Sequence, residues 1–276
     1  MARFSTPSAF EMAASTILNA EPAIRIKGVS IGYSAKVILK DLTLDIRRGE
    51  IIFIGGGSGA GKTTLLSNLT TLNRPLAGEI WIGGIDVASA DEDALQSVRR
   101  QFGVMYQLGA LFNSMTVLEN VMIPMEEFTS IPFDARVEIA RAKLGLVDLA
   151  HAANKMPSEL SGGMQKRAAI ARALALDAPI IFLDEPSAGL DPMTSADLDS
   201  LIQTLNETLG VTFVVISHEL ASIFAIAHRF AMIDGKRGGL VEVGDPRVMR
   251  DSSSDPLVRR FLNRQGVAVH AATAAT

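Results

Sequence analysis

One run of eight residues constrains the fold more than any other part of the chain. Residues 56–63 read Gly-Gly-Ser-Gly-Ala-Gly-Lys-Thr and match the phosphate-binding pattern G-x-x-x-x-G-K-[ST]. The setting of this run strengthens the match, because the apolar run Ile51 to Ile54 precedes it and a helical pattern begins near Lys62. A strand, a glycine-rich loop and a helix in that order predict a nucleotide site at the edge of a parallel sheet.

The residue types in this loop suit a triphosphate. Glycines allow backbone N–H groups to turn toward phosphate oxygens, and the helix that follows adds the positive end of its dipole. Lys62 would place its charge on the β- and γ-phosphates, and Thr63 would offer a hydroxyl to Mg²⁺. The predicted ATP-binding residues of this region are Gly56, Gly57, Ser58, Gly59, Ala60, Gly61, Lys62, Thr63 and Thr64.

A pair of carboxylates follows another buried strand. Asp184 and Glu185 come directly after Ile180 to Leu183, and open α/β sheets bind ligands at such strand ends. Asp184 is suited to hold Mg²⁺ through water, and Glu185 can orient and deprotonate an attacking water molecule. An Asp-Glu pair alone would be an ordinary solvated strand end. Together with the loop 56–63 it predicts hydrolysis of a nucleotide.

A second helix start with exposed glycines lies far along the chain. Residues 160–165 read Leu-Ser-Gly-Gly-Met-Gln and precede a helix rich in Ala, Leu and Arg, with Ser161 as a good N-cap. One chain thus has two helix N-termini suited to phosphate. This arrangement makes most sense if the two close on one triphosphate from opposite sides, and two copies of the chain could supply them.

The hydrophobic pattern predicts an α/β fold with a mostly parallel core sheet. Buried-strand patterns at 51–54, 180–183 and 212–216 alternate with helical patterns at 62–72, 163–176 and 196–209. Alternating residues at 24–46 predict an antiparallel β-subdomain, and residues 107–162 predict a helical subdomain inserted in the core. The predicted organisation is a flexible extension at 1–22, a nucleotide-binding domain at 23–263 and a flexible tail at 264–276.

Composition excludes several classes of protein. The 276 residues include no cysteine, which removes disulfides, iron–sulfur clusters and cysteine zinc sites, and the four histidines lack ligand spacing. The net charge of −4 gives no general attraction to nucleic acid. No run approaches the roughly 18 to 20 apolar residues of a membrane helix. The N-terminus lacks the apolar core of a signal peptide, which favours a cytoplasmic location.

The order of the motifs resembles that in the nucleotide-binding subunits of ATP-binding cassette (ABC) transporters. The loop 56–63 is followed by Gln107, the signature sequence 160–165 and the Asp-Glu pair. Ser187-Ala188-Gly189-Leu190-Asp191 follows as the D-loop, and Ser217-His218 as the switch histidine. The resemblance covers roughly residues 24–263, and an ordered set is far more specific than any single motif.

The resemblance implies a role for each motif. Tyr33 would stack on adenine, although a tyrosine packed on a strand edge fits its position nearly as well. Gln107 would reach Mg²⁺ and the attacking water, and His218 would sense the γ-phosphate. The implied catalytic residues are Glu185, His218, Gln107 and Lys62; the implied Mg²⁺ contacts are Thr63, Gln107 and Asp184; Ser161, Gly162, Gly163 and Gln165 would act on the partner's nucleotide, with Ser187 and Asp191 in the D-loop.

Three details resemble the MlaF-type ATPases of Mla and MCE-associated phospholipid transporters. They are Met164 in the signature, the segment 108–121 after Gln107, and Met156 to Leu160 before the signature. Such subunits imply a homodimer on the cytoplasmic side of the bacterial inner membrane, beneath an MlaE-like permease. An MCE-domain periplasmic protein and a STAS-domain subunit are further implied partners.

Other functions remain to be weighed against this one. An importer or exporter of another solute would use the same motor, since cargo binds the permease. A soluble ABC ATPase of nucleic-acid repair or translation would usually carry two cassettes or basic inserts, and a P-loop kinase or GTPase would leave 160–165 and the D-loop unexplained.

Overall fold

The computed structural model describes residues 20–33, 36–107 and 109–264. Most of the predicted extension at 1–22 and nearly all of the predicted tail at 264–276 lie outside these residues.

A six-stranded sheet forms the centre of the molecule. Its strands are β3 (Ile51–Gly55), β6 (Phe102–Met105), β7 (Ile180–Asp184), β8 (Thr212–Ile216), β9 (Arg229–Asp234) and β10 (Gly239–Gly244), in the order β10-β9-β3-β8-β7-β6. All neighbours are parallel except the edge pair β9 and β10. This sheet confirms the mostly parallel core that the buried runs predict.

The two faces of this sheet pack against different layers. Ile51 and Phe53 belong to one buried cluster, and Ile52 and Ile54 belong to another, because successive side chains of a strand point to opposite faces. Both faces of the sheet are buried, which explains why Ile51 to Ile54 of β3 and Phe213 to Ile216 of β8 are all apolar.

The second layer includes a four-stranded antiparallel sheet. It consists of β1 (Pro22–Tyr33), β2 (Lys36–Arg47), β4 (Ala77–Ile82) and β5 (Ile85–Asp86), in the order β2-β1-β4-β5. Its buried residues Ile24, Ile26 and Leu44 share a cluster with Leu65 of the helix after the glycine loop. This sheet confirms the predicted antiparallel β-subdomain.

The helices of the described chain are α1 (Lys62–Leu69), α2 (Glu92–Arg99), α3 (Val117–Phe128), α4 (Phe133–Leu146), α5 (Gly162–Ala173), α6 (Pro192–Leu209), α7 (Leu220–Ile226), α8 (Pro246–Ser252) and α9 (Pro256–Leu262). Two short 3₁₀ helices lie at Ala150–Ala152 and Pro157–Glu159. Helices α3, α4 and α5 pack on one another. Helices α3 and α4 lie within the predicted helical subdomain 107–162, and α5 corresponds to the helical pattern predicted at 163–176.

Several element bounds differ from those that the pattern predicts. Helix α6 begins at Pro192, earlier than the predicted start at 196, because the Asp191 carboxylate caps it by accepting from Met193 and Thr194 N–H. Helix α1 ends at Leu69, and Thr71 has a positive φ of 61°. Strands β4, β5 and β6 have no counterpart in the prediction, because their runs are short. Helix α2 was also missed, although it is amphipathic and Asp91 caps it.

Candidate nucleotide-binding and hydrolysis site

Four neighbouring strands bring the predicted residues to one edge of the sheet. Strands β3, β8, β7 and β6 are adjacent and parallel, so their carboxyl ends meet at the same edge. The glycine loop leaves the end of β3, Ser217 and His218 leave β8, and Asp184 ends β7 in register with Ile216. Gln107 follows two residues after the end of β6. Motifs that are far apart in sequence therefore become neighbours.

The glycine loop wraps around the amino group of its own lysine. The Lys62 Nζ donates to the carbonyl oxygens of Gly56 at 2.9 Å and Gly57 at 3.1 Å. Gly61 has φ 98°, where a side chain would be strained, and a Cβ there would also lie 2.9 Å from Ile38 Cγ2. These contacts place a positive charge and the start of α1 at the opening of the loop.

The residues of this loop divide into exposed and buried positions. Gly57, Ser58, Gly59 and Thr63 are exposed and can meet a ligand. Thr64 is only 5% exposed and packs into the core beside α1, so only its backbone N–H is suited to a phosphate.

The candidate base Glu185 is held from both sides. Its backbone is in the left-handed region at φ 48°, and its N–H donates to the Ile216 carbonyl at 2.8 Å. The His218 Nδ1 lies 2.8 Å from Glu185 Oε1, and the Ser217 hydroxyl donates to Oε2 at 3.3 Å. A strained backbone that three contacts maintain is typical of functional sites. The side chain is 14% exposed, so solvent still reaches its carboxylate.

Asp184 lies in an electrostatic field of mixed sign. Burial raises the pKa of Asp184, and the neighbouring charge of Glu185 raises it further, whereas Lys166 and Lys62 lower it. Burial also lowers the pKa of the Lys166 ammonium, which Asp184 and Glu185 partly offset. Two adjacent carboxylates with partial compensation by lysines are chemically suited to an additional cation.

Lys166 is a site residue that the sequence analysis missed. It lies on α5, directly after the signature, and its Nζ donates to the backbone carbonyl of Gln107. One buried ammonium thus connects the signature helix, the Gln107 loop and the carboxylates at the end of β7. Its position next to the signature was the available signal, but lysines on helices are usually solvated.

The signature residues form a helix start that is open to solvent. The Ser161 hydroxyl accepts from Met164 N–H at 3.3 Å, which confirms the predicted N-cap, and Ser161 and Gly162 are exposed. A Cβ on Gly163 would lie 2.5 Å from the Thr194 Cγ2 of α6, so glycine permits the close approach of the two helices. The Gln165 side chain turns back and donates to the carbonyls of Pro157 and Leu160.

The loop 187–191 joins the Glu185 region to α6. Ser187 is buried, and its hydroxyl lies 3.4 Å from the hydroxyl of Ser222 on α7. Asp191 is exposed and caps α6, and hydrogen bonds from Thr194 hold the pKa of its carboxyl below the usual range. The two predicted D-loop residues therefore have different surroundings.

The segment 109–116 presents two apolar side chains. The buried Asn120 amide binds the backbone of Phe112 and Met115, and Arg172 donates to the carbonyls of Gly109 and Ala110. Phe112 is 53% exposed and Met115 is 37% exposed as a result. The neighbouring apolar residues Val117, Met122 and Met125 are buried in the core and cannot contribute to an exposed docking surface.

An apolar groove is connected to this segment through Arg172, which lines the groove and binds the carbonyls of Gly109 and Ala110. Its volume is about 270 Å³, and it lies between β6, α3 and α5 with Leu72, Tyr106 and Phe128 among its lining residues. Burial raises the pKa of the Tyr106 hydroxyl, so this group is neutral over the working pH range.

Tyr33 and the histidines other than His218 are the residues left to describe. Tyr33 is half exposed and ends β1 opposite Lys36, a position compatible with a strand-edge tyrosine. The half-buried His228 accepts from Ile51 N–H at 2.9 Å, and burial lowers its pKa. His151 is exposed, and His270 lies outside the described residues.

The described residues 20–33, 36–107 and 109–264 contain no group of three or more His, Cys, Asp or Glu side chains arranged to hold a metal. None of their helices has the length and apolar character needed to cross a bilayer.

Comparison with known proteins agrees with this geometry. A family model described as "ABC transporter" matches residues 39–188. The chain is 39% identical to the "Intermembrane phospholipid transport system ATP-binding protein MlaF" of Escherichia coli K12, over 87% of this chain and 88% of that protein. It is also 39% identical to the "Probable ribonucleotide transport ATP-binding protein mkl" of Mycobacterium leprae, over 87% of this chain and 69% of that protein.

Solved structures share the fold. A dimeric ATP-binding cassette in a post-hydrolysis state, bound to ADP and Pi, matches with a TM-score of 0.72 and 33% identity. The match covers 80% of this chain and 98% of that chain.

Proposed function

This chain belongs to the ABC transporter family and is an ABC ATPase, and from that premise we propose that it drives phospholipid transport through an MlaE-like permease. The role as an ATP-hydrolysing motor is supported by one observation. The glycine loop, Glu185, His218 and Gln107 converge at one edge of the sheet. The cargo rests on the likeness to MlaF over most of both chains. We assign the motor to residues 23–263, with 107–162 as its helical subdomain.

ATP would bind across the glycine loop. The exposed backbone of Gly57 to Gly59 and the start of α1 suit the phosphates, and Lys62 would exchange its two carbonyl contacts for phosphate oxygens. Thr64 would contribute through its backbone, since its side chain is buried. Tyr33 is the candidate for adenine stacking, because it is exposed at the end of β1.

The residues present fit Mg²⁺. The exposed Thr63 hydroxyl, the Asp184 carboxylate and the Gln107 amide are oxygen donors of the kind this ion prefers, and Mg²⁺ needs few protein ligands because it keeps water. When bound with ATP, it would neutralise phosphate charge. The raised pKa of Asp184 indicates that its carboxylate lacks full compensation by Lys62 and Lys166.

Hydrolysis would depend on Glu185. Its carboxyl group is suited to accept a proton from the attacking water, and His218 and Ser217 orient its two oxygens. Because His218 is two-thirds exposed and contacts Glu185 directly, it can also meet the γ-phosphate. Lys166 lies on the signature helix α5, contacts the Gln107 carbonyl and interacts with Asp184 and Glu185. A movement of α5 would therefore change the electrostatic surroundings of these two carboxylates.

The working form would be a homodimer. Within the described part of the chain, no hydrogen bond joins the signature helix start to the glycine loop, although both are suited to phosphate. Ser161, Gly162 and Gly163 would therefore close on the nucleotide of a second copy, as the dimeric form of the related solved cassette suggests.

The permease would dock on Phe112, Met115 and the adjoining groove. Asn120 and Arg172 fix the backbone of this segment, so the exposed side chains are held outward before binding. The groove lies beside Gln107 and α5, and movement of a docked permease helix would therefore reach the hydrolysis site. This docking would place the chain at the cytoplasmic side of the bacterial inner membrane as a peripheral subunit.

Further partners would follow from the MlaF-like system: an MCE-domain periplasmic protein and a STAS-domain subunit. A nucleic-acid partner is not proposed, given the net charge of −4. The second candidate is transport of another solute, which the equal identity to the Mkl protein favours. Cargo contacts the permease rather than the motor, so the motor geometry fits both.

The test is reconstitution of the chain with its co-purified permease in phospholipid vesicles. ATP hydrolysis and transfer of labelled phospholipid to an MCE-domain acceptor are measured together, with Glu185→Gln as the matched inactive motor. Lipid transfer that requires ATP and is lost in the variant supports the proposal. Transfer of a ribonucleotide or another polar solute, without lipid, would leave the motor but contradict the phospholipid cargo.

A further inference from the structure

A buried polar chain connects the loop after Glu185 to the helix after His218. The Ser187 hydroxyl lies 3.4 Å from the Ser222 hydroxyl. Asp199 on α6 lines the same cavity as Ser187, and Ser222 lowers the pKa of the Asp199 carboxyl group as a hydrogen-bond donor. All three residues are at most 9% exposed. A carboxyl group buried at this depth on an otherwise amphipathic helix is costly unless it has a specific partner.

These three polar side chains link the two segments that hold the hydrolysis site. Ser187 lies two residues after Glu185, and Ser222 lies on α7, four residues after His218. Glu219 caps the start of α7 through the Ala221 N–H and pairs with Arg264 at 3.0 Å. The contact of Ser187 with Ser222 is therefore a second connection between these segments, beside the direct one from His218 to Glu185.

The protonation state of Asp199 determines the direction of this chain. Burial raises the pKa of Asp199 to about 6, the charge of Glu219 adds to the rise, and the hydrogen bond from Ser222 opposes it. An ionised carboxylate only accepts, so Ser222 donates to it and its oxygen is free to accept from Ser187. A protonated carboxyl group can donate to Ser222, which then donates to Ser187. The donor-to-acceptor direction of the hydrogen bonds is then reversed.

We propose that Asp199 is a positioning residue for ATP hydrolysis, which holds the loop 187–191 in register with Glu185 and His218 through Ser222. When Asp199 is ionised, Ser187 donates to Ser222, and this hydrogen bond holds the loop 187–191. The neutral form reverses the chain and frees the Ser187 hydroxyl to donate elsewhere. The inference rests on the proposed function of Glu185 and His218 in ATP hydrolysis.

Other charged groups around Asp199 would not replace this role. A cavity of about 460 Å³ is bordered by Asp199, Ser187, Glu219 and Arg264, so solvent protons can reach the carboxyl group. Arg264 is engaged with Glu219, and Arg247 of α8 donates to the backbone carbonyls of Phe224 and Ala225. Asp191 at the start of α6 caps that helix.

The experiment measures kcat and KM for ATP of the full-length chain from pH 5.5 to 8. The variants are Asp199→Asn, Ser222→Ala and, as a matched control, Asp197→Asn, which removes an exposed carboxylate from the same helix. The ratio of variant to wild-type kcat cancels every ionisation that the two proteins share. For Asp199→Asn it should be near 1 at pH 5.5 and fall about three- to tenfold by pH 7.5, with KM unchanged.

Two further results distinguish positioning from a structural effect. Because the folded state holds the Asp199 proton more tightly than the unfolded state, ionisation of this group destabilises the fold as pH rises from 3.8 to about 6. Asp199→Asn should therefore gain Tm relative to wild type as pH rises, while its kcat ratio falls. The Asp199→Asn, Ser222→Ala double variant should be no slower than Ser222→Ala alone.

A kcat ratio that is constant with pH, or equal to that of Asp197→Asn, would overturn the positioning role while leaving the motor intact. Glu185→Gln in the same assay tests the motor itself. If that variant hydrolyses ATP normally, the proposed hydrolysis site is wrong and the role of Asp199 falls with it.

Discussion

Helices α1 and α5 both begin with glycines at the helix start, but the two starts differ in their surroundings. Each start exposes glycines, and neither helix has an acidic residue in its first turn to neutralise the dipole. The start of α1 follows a fully buried strand and holds Lys62 over its own loop. The start of α5 has Ser161 and Gly162 open to solvent.

The difference supports the proposal that one anion site is complete within a chain and that the other needs a second copy. Helix α1 starts at the edge where β3, β7 and β8 also end, so the base and the candidate magnesium ligands lie beside it. Helix α5 packs against α3, α4 and β6, which surround its body rather than its start. An exposed helix start of this kind is suited to a ligand carried by another molecule.

The largest expected effect concerns the complete site. Glu185→Gln keeps the shape of the side chain but removes the base, and should lower ATP hydrolysis by about 10²–10⁴. ATP binding should be retained, because the glycine loop is unchanged, and the closed dimer should accumulate. Turnover, nucleotide binding and dimer formation are measured on one preparation. Near-normal turnover would show that another group is the base.

The second prediction tests whether the two helix starts act in different chains. Lys62→Ala should weaken ATP binding to an isolated protomer by about 10- to 150-fold, the scale of charge-assisted hydrogen bonds. Ser161→Arg should leave that binding nearly intact but block closure on a partner. Since a mixed dimer of the two variants has one composite site without either change, mixing should restore some ATPase activity.

Activity of the mixture can fail for two reasons. Either the helix starts do not meet across the dimer, or both sites must hydrolyse ATP together. Disulfide crosslinking between cysteines introduced at Ser58 and Ser161 in different chains distinguishes these cases. Absence of the crosslink in the ATP-bound state would contradict the comparison.

The third prediction concerns the segment that α5 holds. Phe112→Ala removes an exposed side chain and should weaken the permease complex by about 30-fold, since loss of an interface anchor commonly costs about 2 kcal/mol. Met115→Asp should act in the same direction. ATPase activity without permease should stay at the wild-type level, because neither side chain contacts the hydrolysis site. Unchanged lipid transfer by either variant would exclude this surface.

The last prediction concerns stability alone and separates the two structural reasons for glycine at positions 163 and 61. A Cβ on Gly163 would meet Thr194 Cγ2, so Gly163→Ala should cost about 1–3 kcal/mol of stability. Thr194→Ser removes that methyl group, retains the hydroxyl that binds Asp191, and should restore stability. Gly61→Ala should cost about 1–2 kcal/mol, mainly through its positive φ. Thr194→Ser should give it no rescue.

Denaturant unfolding of the single and double variants measures how far Thr194→Ser offsets the loss of stability caused by each glycine substitution. A Gly163→Ala chain that Thr194→Ser does not rescue would show that the contact between α5 and α6 is not the reason for glycine there. Rescue of both glycine variants would indicate a general stabilising effect of Thr194→Ser.

The local elements of the site follow from the sequence because their causes are local. The buried run Ile51 to Ile54, the glycine loop and the start of α1 could be placed by pattern alone, and Ser161 was identifiable as an N-cap. Strand β6 was not found, although it positions Gln107, because Phe102 to Met105 is too short to show periodicity. The resemblance, rather than the pattern, pointed to Gln107 and His218.

What only the tertiary structure decided is which distant residues share an environment. Lys166 and Asp199 are ordinary charged residues on helices in the sequence, and only packing buries them beside Gln107 and Ser222. The exposure of Phe112 and the burial of Met125 were likewise undetermined, since both belong to one apolar stretch. The physical reason is that propensity and capping depend on neighbours within about one helical turn, whereas desolvation and charge pairing depend on neighbours that the fold brings together.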